Sequence, residues 1–174
     1  VDSGTFDYFT EVIVGKAQAS RGDFTSSEDD NVLVQGIAGD PLALGYFGLA
    51  YYEHNKDRLR LVAIDDENPA NGSGPVLPSM QTVINGAYQP LARPIFIYVS
   101  KKAVGRPEVQ EFVRFYLRHA PNLSAEVGYI PLPQEVYRLA EERFRKGTAG
   151  SVFLDKAAKK PGVTLANLLS SESR

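Results

Sequence analysis

Cysteine and tryptophan are absent from this 174-residue chain, which also has one methionine and two histidines. Without cysteine there is no disulfide framework, no thiolate metal site and no thiol nucleophile. His54 and His119 stand far apart in sequence, and no HExxH, GxSxG or P-loop spacing occurs, so the usual hydrolase and nucleotide-binding signatures are missing. Unbroken apolar runs last only a few residues, too short to span a bilayer. Charge of one sign is lacking too: 19 basic and 21 acidic side chains leave a net charge of −2. That balance argues against a nucleic-acid partner, which normally calls for a basic surplus or stripe. The chain opens on Val1 with no basic-then-apolar segment before the first pattern, so the expectation is a removed leader or a longer parent polypeptide.

What is present is an apolar fraction of 43% with 10% aromatics, enough to build a core and too much for a disordered chain. Phe6, Phe9, Val12 and Ile13 recur at helical spacing and predict a helix from Thr5 to Gly15. Residues 18–30 are polar and punctuated, a loop whose Asp29, Asp30 and Asn31 can cap a second helix ended by Gly36 or Gly39. After an Asp40-Pro41 turn, Ala43 to Gly48 reads as a short buried strand, and Leu49 to Asn55 as a short helix. Leu59 to Ile64 reads as a strand, residues 65–79 as a loop, and Ser79 to Asn85 as a helix stopped by Gly86. Ile95 to Val99, apolar throughout, predicts a strand covered on both faces. Pro107 opens a strongly amphipathic helix with Val109, Phe112, Val113, Tyr116 and Leu117 on one stripe. Residues 133–146 give another, and the tail beyond Gly147 is weakly patterned, ending in a frayed SSESR. Helices alternating with short strands indicate an α/β fold, with too few strands for a full doubly wound sheet.

The chemistry-bearing feature is Ser3-Gly4-Thr5 at the start of the first helix. With Ser3 as N-cap, the amides of Gly4, Thr5 and Phe6 lack intrahelical acceptors and point outward. Gly4 carries no Cβ, so an anion can approach the backbone, and the Ser3 and Thr5 hydroxyls and the helix dipole favour one there. The plainer reading is an ordinary N-cap. Asp7 in the first turn would repel an anion at short range, so a cation is wanted, and Arg21 is the candidate by sequence; its plainer reading is a solvated loop arginine. Other features have cheap structural explanations. Glu28-Asp29-Asp30 is expected to cap a helix rather than hold calcium, and Asp65-Asp66-Glu67-Asn68 lacks the glycine and terminal glutamate of a calcium loop. Tyr46, Phe47, Tyr51 and Tyr52 read as core with hydroxyls reaching the surface rather than a sugar platform. His54 and His119 fall at helix C-termini, where a cation suits the dipole. Lys156–Lys160 reads as a solvated tail. No cofactor or metal is called for.

The runs DSGTFDYFTE, ASRGDFTSSEDDNVLVQGIAGDPLALGYFGLAYY and VINGAYQPLARPIFIYV resemble the periplasmic phosphate-binding proteins of phosphate ABC importers, nearest the cyanobacterial-type branch, through about Gly150. The resemblance implies a periplasmic-binding-protein-like (type II) fold of two α/β lobes closing on one dehydrated phosphate, of which this chain is an incomplete C-terminal portion. By analogy, residues 1–90 are most of the second lobe and carry the anion-binding helix start. Residues 91–150 cross back to the first lobe, and residues 151–174 are a tail. The family's Ser-Gly-Thr lip matches Ser3, Gly4 and Thr5. Its arginine upstream of that serine cannot be matched, because only Val1 and Asp2 precede Ser3, and Arg21 is the substitute. The implied partners are inorganic phosphate, the membrane permease of an ABC importer and a missing N-terminal half. The implied location is periplasmic or cell-surface.

No nucleophile–base pair accompanies Ser3 or Thr5, so binding without chemistry is favoured over the alternatives, a phosphoester hydrolase or a sensory relative binding another oxyanion. Four charge-assisted hydrogen bonds supply roughly 6–12 kcal/mol. Desolvation costs several kcal/mol per ion, and micromolar affinity needs about 8 kcal/mol net. One lip alone is therefore expected to bind phosphate poorly.

Overall fold

The computed structural model describes residues 2–69, 72–152 and 165–171. Helices dominate them, and each is set by local chemistry. Helix α1 (Gly4–Val14) is capped by Ser3, whose side chain accepts the Phe6 amide, and ends at Gly15 with φ 81°, a left-handed turn that glycine enters without a Cβ penalty. Helix α2 (Asp30–Gly39) starts on the Asp29 carboxylate, which accepts the Asn31 amide. Helix α3 (Leu49–Glu53) is followed by the C-cap His54. Helix α4 (Met80–Ile84) opens on a reciprocal capping box between Ser79 and Thr82. Helix α5 (Pro107–Glu126) begins with Pro107 in its first turn, where the missing N–H costs nothing. Helix α6 (Gln134–Lys146) stops at the left-handed Gly147.

Two of these helices outrun their sequence patterns. Helix α5 continues through Pro121 to Glu126, so His119 lies inside it rather than at its end. Pro121 gives up one backbone bond, yet the buried Ala120 beside it keeps the helix packed. The tail also holds a helix, α7 (Leu165–Ser171), where weak patterning suggested none. The run Lys156–Lys160 and the last three residues lie outside the described ones.

Packing is concentrated at the C-terminal end. Helix α5 packs on α6, α6 on α7, and α2 on α3. Val113 and Ala120 of α5 and Val136 and Leu139 of α6 are buried, as are Val34 of α2 and Ala50 of α3. Gly128, at φ 80°, lets the end of α5 close on α3, because a Cβ there would lie 2.9 Å from that of Ala50.

The three expected strands are not formed among the described residues. Ladder pairing is confined to one antiparallel bridge, Ile64 to Val76, with amide–carbonyl distances of 2.9 and 2.8 Å. Residues 43–48 and 95–99 run without ladder bonds, and far from being buried, Leu44 is 82% and Tyr98 88% exposed. The apolar patterns at these places are real, but a strand needs a neighbouring strand for its backbone donors and acceptors, and the described residues form none alongside.

Candidate functional site

The first turn of α1 is tethered to residues 90–93, more than eighty positions downstream. The Tyr8 hydroxyl donates to the Pro90 carbonyl at 2.7 Å and approaches that of Ala92 at 3.3 Å. Arg93 donates from Nη1 to the Gly4 carbonyl (2.7 Å) and from Nη2 to Thr5 Oγ1 (3.0 Å). Its guanidinium also stands 5.2 Å from the centroid of the Tyr8 ring, within cation–π range. Burial holds the Tyr8 hydroxyl above the usual tyrosine range, a rise the charge of Arg93 partly offsets. The prolines explain why the downstream segment can serve as an anchor. Pro90 and Pro94 fix φ at two points of the segment, and Pro94 biases Arg93 away from the helical region.

Within this junction Ser3 is the N-cap, but the Phe6 amide, expected to point outward, is taken up by the Ser3 hydroxyl at 3.3 Å. The Ser3 carbonyl takes the Asp7 amide at 3.0 Å. The amides of Gly4 and Thr5 precede the first intrahelical bond, and Gly4 is exposed. A Cβ added to Gly4 would meet only Arg93, at an ordinary 3.7 Å, so internal packing does not require glycine there. The helix start thus presents main-chain donors outward beside a cation, a geometry that suits a tetrahedral oxyanion.

Arg21, the sequence candidate for that cation, is engaged elsewhere. Its Nε and Nη2 pair with the two carboxylate oxygens of Asp23 at 2.8 and 2.5 Å, holding that carboxyl below its ordinary range. The loop carrying it does reach α1, where Phe24 stacks on Phe6 at 5.7 Å. The Asp2 amide donates to Glu28 at 3.1 Å, so the loop also runs beside the chain start. Arg93 is the cation the structure brings to Gly4 and Thr5, and sequence proximity to Ser3 could not indicate it. The available signal was an arginine between two prolines.

The remaining candidates take structural roles. Asp29 caps α2, and burial with the neighbouring Asp29 charge raises the Asp30 carboxyl. Asp65 and Asp66 accept the amides two residues on, closing Asx turns. Tyr46 stacks on Phe9 with centroids 3.7 Å apart. Among the described residues no group of three or more His, Asp and Glu is placed to hold a metal ion, and no helix is long and apolar enough to cross a membrane.

Comparison with known proteins puts this geometry in context. The chain is similar to bacterial phosphate-binding proteins and spans about half the length of the curated relatives it matches. It is 48% identical over 171 residues to Protein SphX of Synechococcus elongatus, covering 98% of this chain and 49% of that protein. It is 32% identical over 136 residues to the phosphate-binding protein PstS of Staphylococcus haemolyticus, covering 78% of this chain and 40% of the relative. A crystal structure described as "a possible phosphate binding protein" from Planctomyces limnophilus aligns with a TM-score of 0.69 and 44% identity, covering 86% of this chain and 52% of that one. No family model matches the chain. The resemblance read from the sequence is thereby shown, and the structural match supports a periplasmic-binding-protein-like fold.

Proposed function

We propose that this chain is the portion of a solute-binding protein that holds one side of an inorganic phosphate ion for delivery to the membrane permease of an ABC importer. The observation that carries the reading is the outward-facing start of α1 beside Arg93, in a chain homologous to proteins named for phosphate binding. Phosphate would accept from the amides of Gly4 and Thr5 and from the Ser3 and Thr5 hydroxyls. Arg21 enters only if it leaves Asp23. The role is capture rather than turnover.

The chain spans about half the length of the curated relatives it matches, and its apolar segments 43–48 and 95–99 form no strand ladder among the described residues. We read residues 1–90 as most of one α/β lobe, residues 91–150 as the crossing and part of the other, and residues 151–174 as a tail. The other half of a two-lobe relative would supply the pairing strands and the opposing phosphate contacts. Such a protein works outside the cytoplasmic membrane, in the periplasm or at the cell surface.

Calorimetric titration of orthophosphate tests this, first on the 174-residue chain and then on the full natural polypeptide in which these residues occur. Weak binding by the chain and micromolar or tighter binding by the full polypeptide are expected, with sulfate as competitor to measure selectivity. A full polypeptide that ignores orthophosphate overturns the reading.

A further inference from the structure

We infer that Arg93 is a positioning residue for the phosphate site: it orients the Thr5 hydroxyl so that its proton is directed outward, to the ligand. The inference rests on the phosphate-binding reading above and adds a residue 88 positions from Thr5. A guanidinium has donors and no acceptor, so the 3.0 Å contact from Nη2 must use a lone pair of Thr5 Oγ1. In a helix, a threonine hydroxyl commonly turns its proton back to a carbonyl one turn earlier, as Thr10 does to Phe6 at 2.8 Å. Thr5 lies in the first turn, where no such helical carbonyl precedes it, and the cation repels its hydroxyl proton. The proton therefore points away from Arg93, and polarisation by the charge makes it a stronger donor.

The second prong of the fork holds the backbone. Nη1 takes the Gly4 carbonyl at 2.7 Å, fixing the peptide plane that carries the Thr5 amide. One side chain thus sets both donors of Thr5, the amide and the hydroxyl. Arg93 is itself held by the Tyr8 ring beneath it and by the segment that Tyr8 ties down through Pro90. A lysine would keep the charge but present one ammonium in place of a two-pronged planar fork.

The test is a double-mutant cycle on the full natural polypeptide, with orthophosphate affinity measured by calorimetry. Arg93→Gln is expected to weaken binding about tenfold or more in the parent and only about twofold in a Thr5→Val background, the signature of action through one shared group. Arg93→Lys is expected to recover little, whereas a purely long-range charge effect would be recovered. A ligand-free readout stands beside it: the Arg93 guanidinium nitrogen signals are expected to be sharp and exchange-protected in the parent and broadened in Thr5→Val. Additive losses, full rescue by lysine, or guanidinium signals indifferent to Thr5→Val overturn the inference. A parent protein that binds no phosphate but keeps the protected guanidinium signals refutes the functional reading while leaving the Arg93–Thr5 contact established.

Discussion

Residues 107–146 and residues 94–99 are close in sequence and both carry a regular apolar pattern, yet they end in opposite conditions. The first region folds into α5 and α6, which pack together, and Val113, Ala120, Val136 and Leu139 are buried. Its surface is laced by pairs one turn apart, Arg138 with Glu135 at 2.6 Å and Lys146 with Glu142 at 2.8 Å. The second region is extended, with Ile95 63% and Tyr98 88% exposed. A helix satisfies its backbone from within four residues, so this chain can supply everything α5 and α6 need. A strand satisfies its backbone only from another strand, which the described residues do not offer. The difference between the two regions is one of where their hydrogen-bond partners are encoded.

That contrast can be broken most decisively by supplying the absent partner. Amide exchange at residues 95–99 should be near the unprotected rate in the 174-residue chain and slowed by orders of magnitude in the full natural polypeptide. Equal exchange in both would show that the segment is not a strand awaiting its sheet. On the self-sufficient side, Leu139→Ala should cost about 2–5 kcal/mol by opening a cavity between α5 and α6, read by helix melting in circular dichroism. A cost under about 1 kcal/mol would mean that the pair is loosely packed.

Smaller effects act at the junction of α1 with residues 90–93, which is helical on one side and irregular on the other. Ser3→Ala removes the N-cap of α1 and should cost about 1 kcal/mol, measured by thermal melting. Tyr8→Phe removes the tether to Pro90 and should cost about 0.5–1.5 kcal/mol. Tyr8 also gives the junction a pH dependence. Its hydroxyl is raised above the ordinary value, so its contribution is fully present below the unfolded tyrosine pKa of about 10 and is lost as pH climbs through the folded value. Melting temperatures across that alkaline range should fall more steeply for the parent than for Tyr8→Phe, and parallel curves would contradict the assignment.

The same physics decided how much could be read from the sequence. The caps at Ser3, Asp29 and Ser79, the opening Pro107 and the closing Gly147 are local signals, and each sits where its helix begins or ends. Helix α5 runs past its expected end, through Pro121 to Glu126, beside the buried Ala120, a tertiary contact no local signal carries. Strands at 43–48, 59–64 and 95–99 were legible as patterns but not as structure, since pairing is non-local. At the candidate site, Ser3, Gly4 and Thr5 stand together because they are consecutive. Arg93 was hidden because its nearness to Thr5 is created by the fold, and Arg21 misled because sequence distance from Ser3 says nothing about its carboxylate neighbour Asp23.

The central claim is that a phosphate ion is held at the opened start of α1, and Gly4→Asp tests it most directly. An acid in the first turn favours the helix dipole, and a Cβ at Gly4 has room at 3.7 Å from Arg93, so the fold should survive. The new carboxylate would occupy and repel the space an anion needs. Calorimetric titration of orthophosphate into the full natural polypeptide is expected to give micromolar or tighter binding for the parent and no measurable binding for a normally melting Gly4→Asp. Unchanged affinity in that variant would contradict the account.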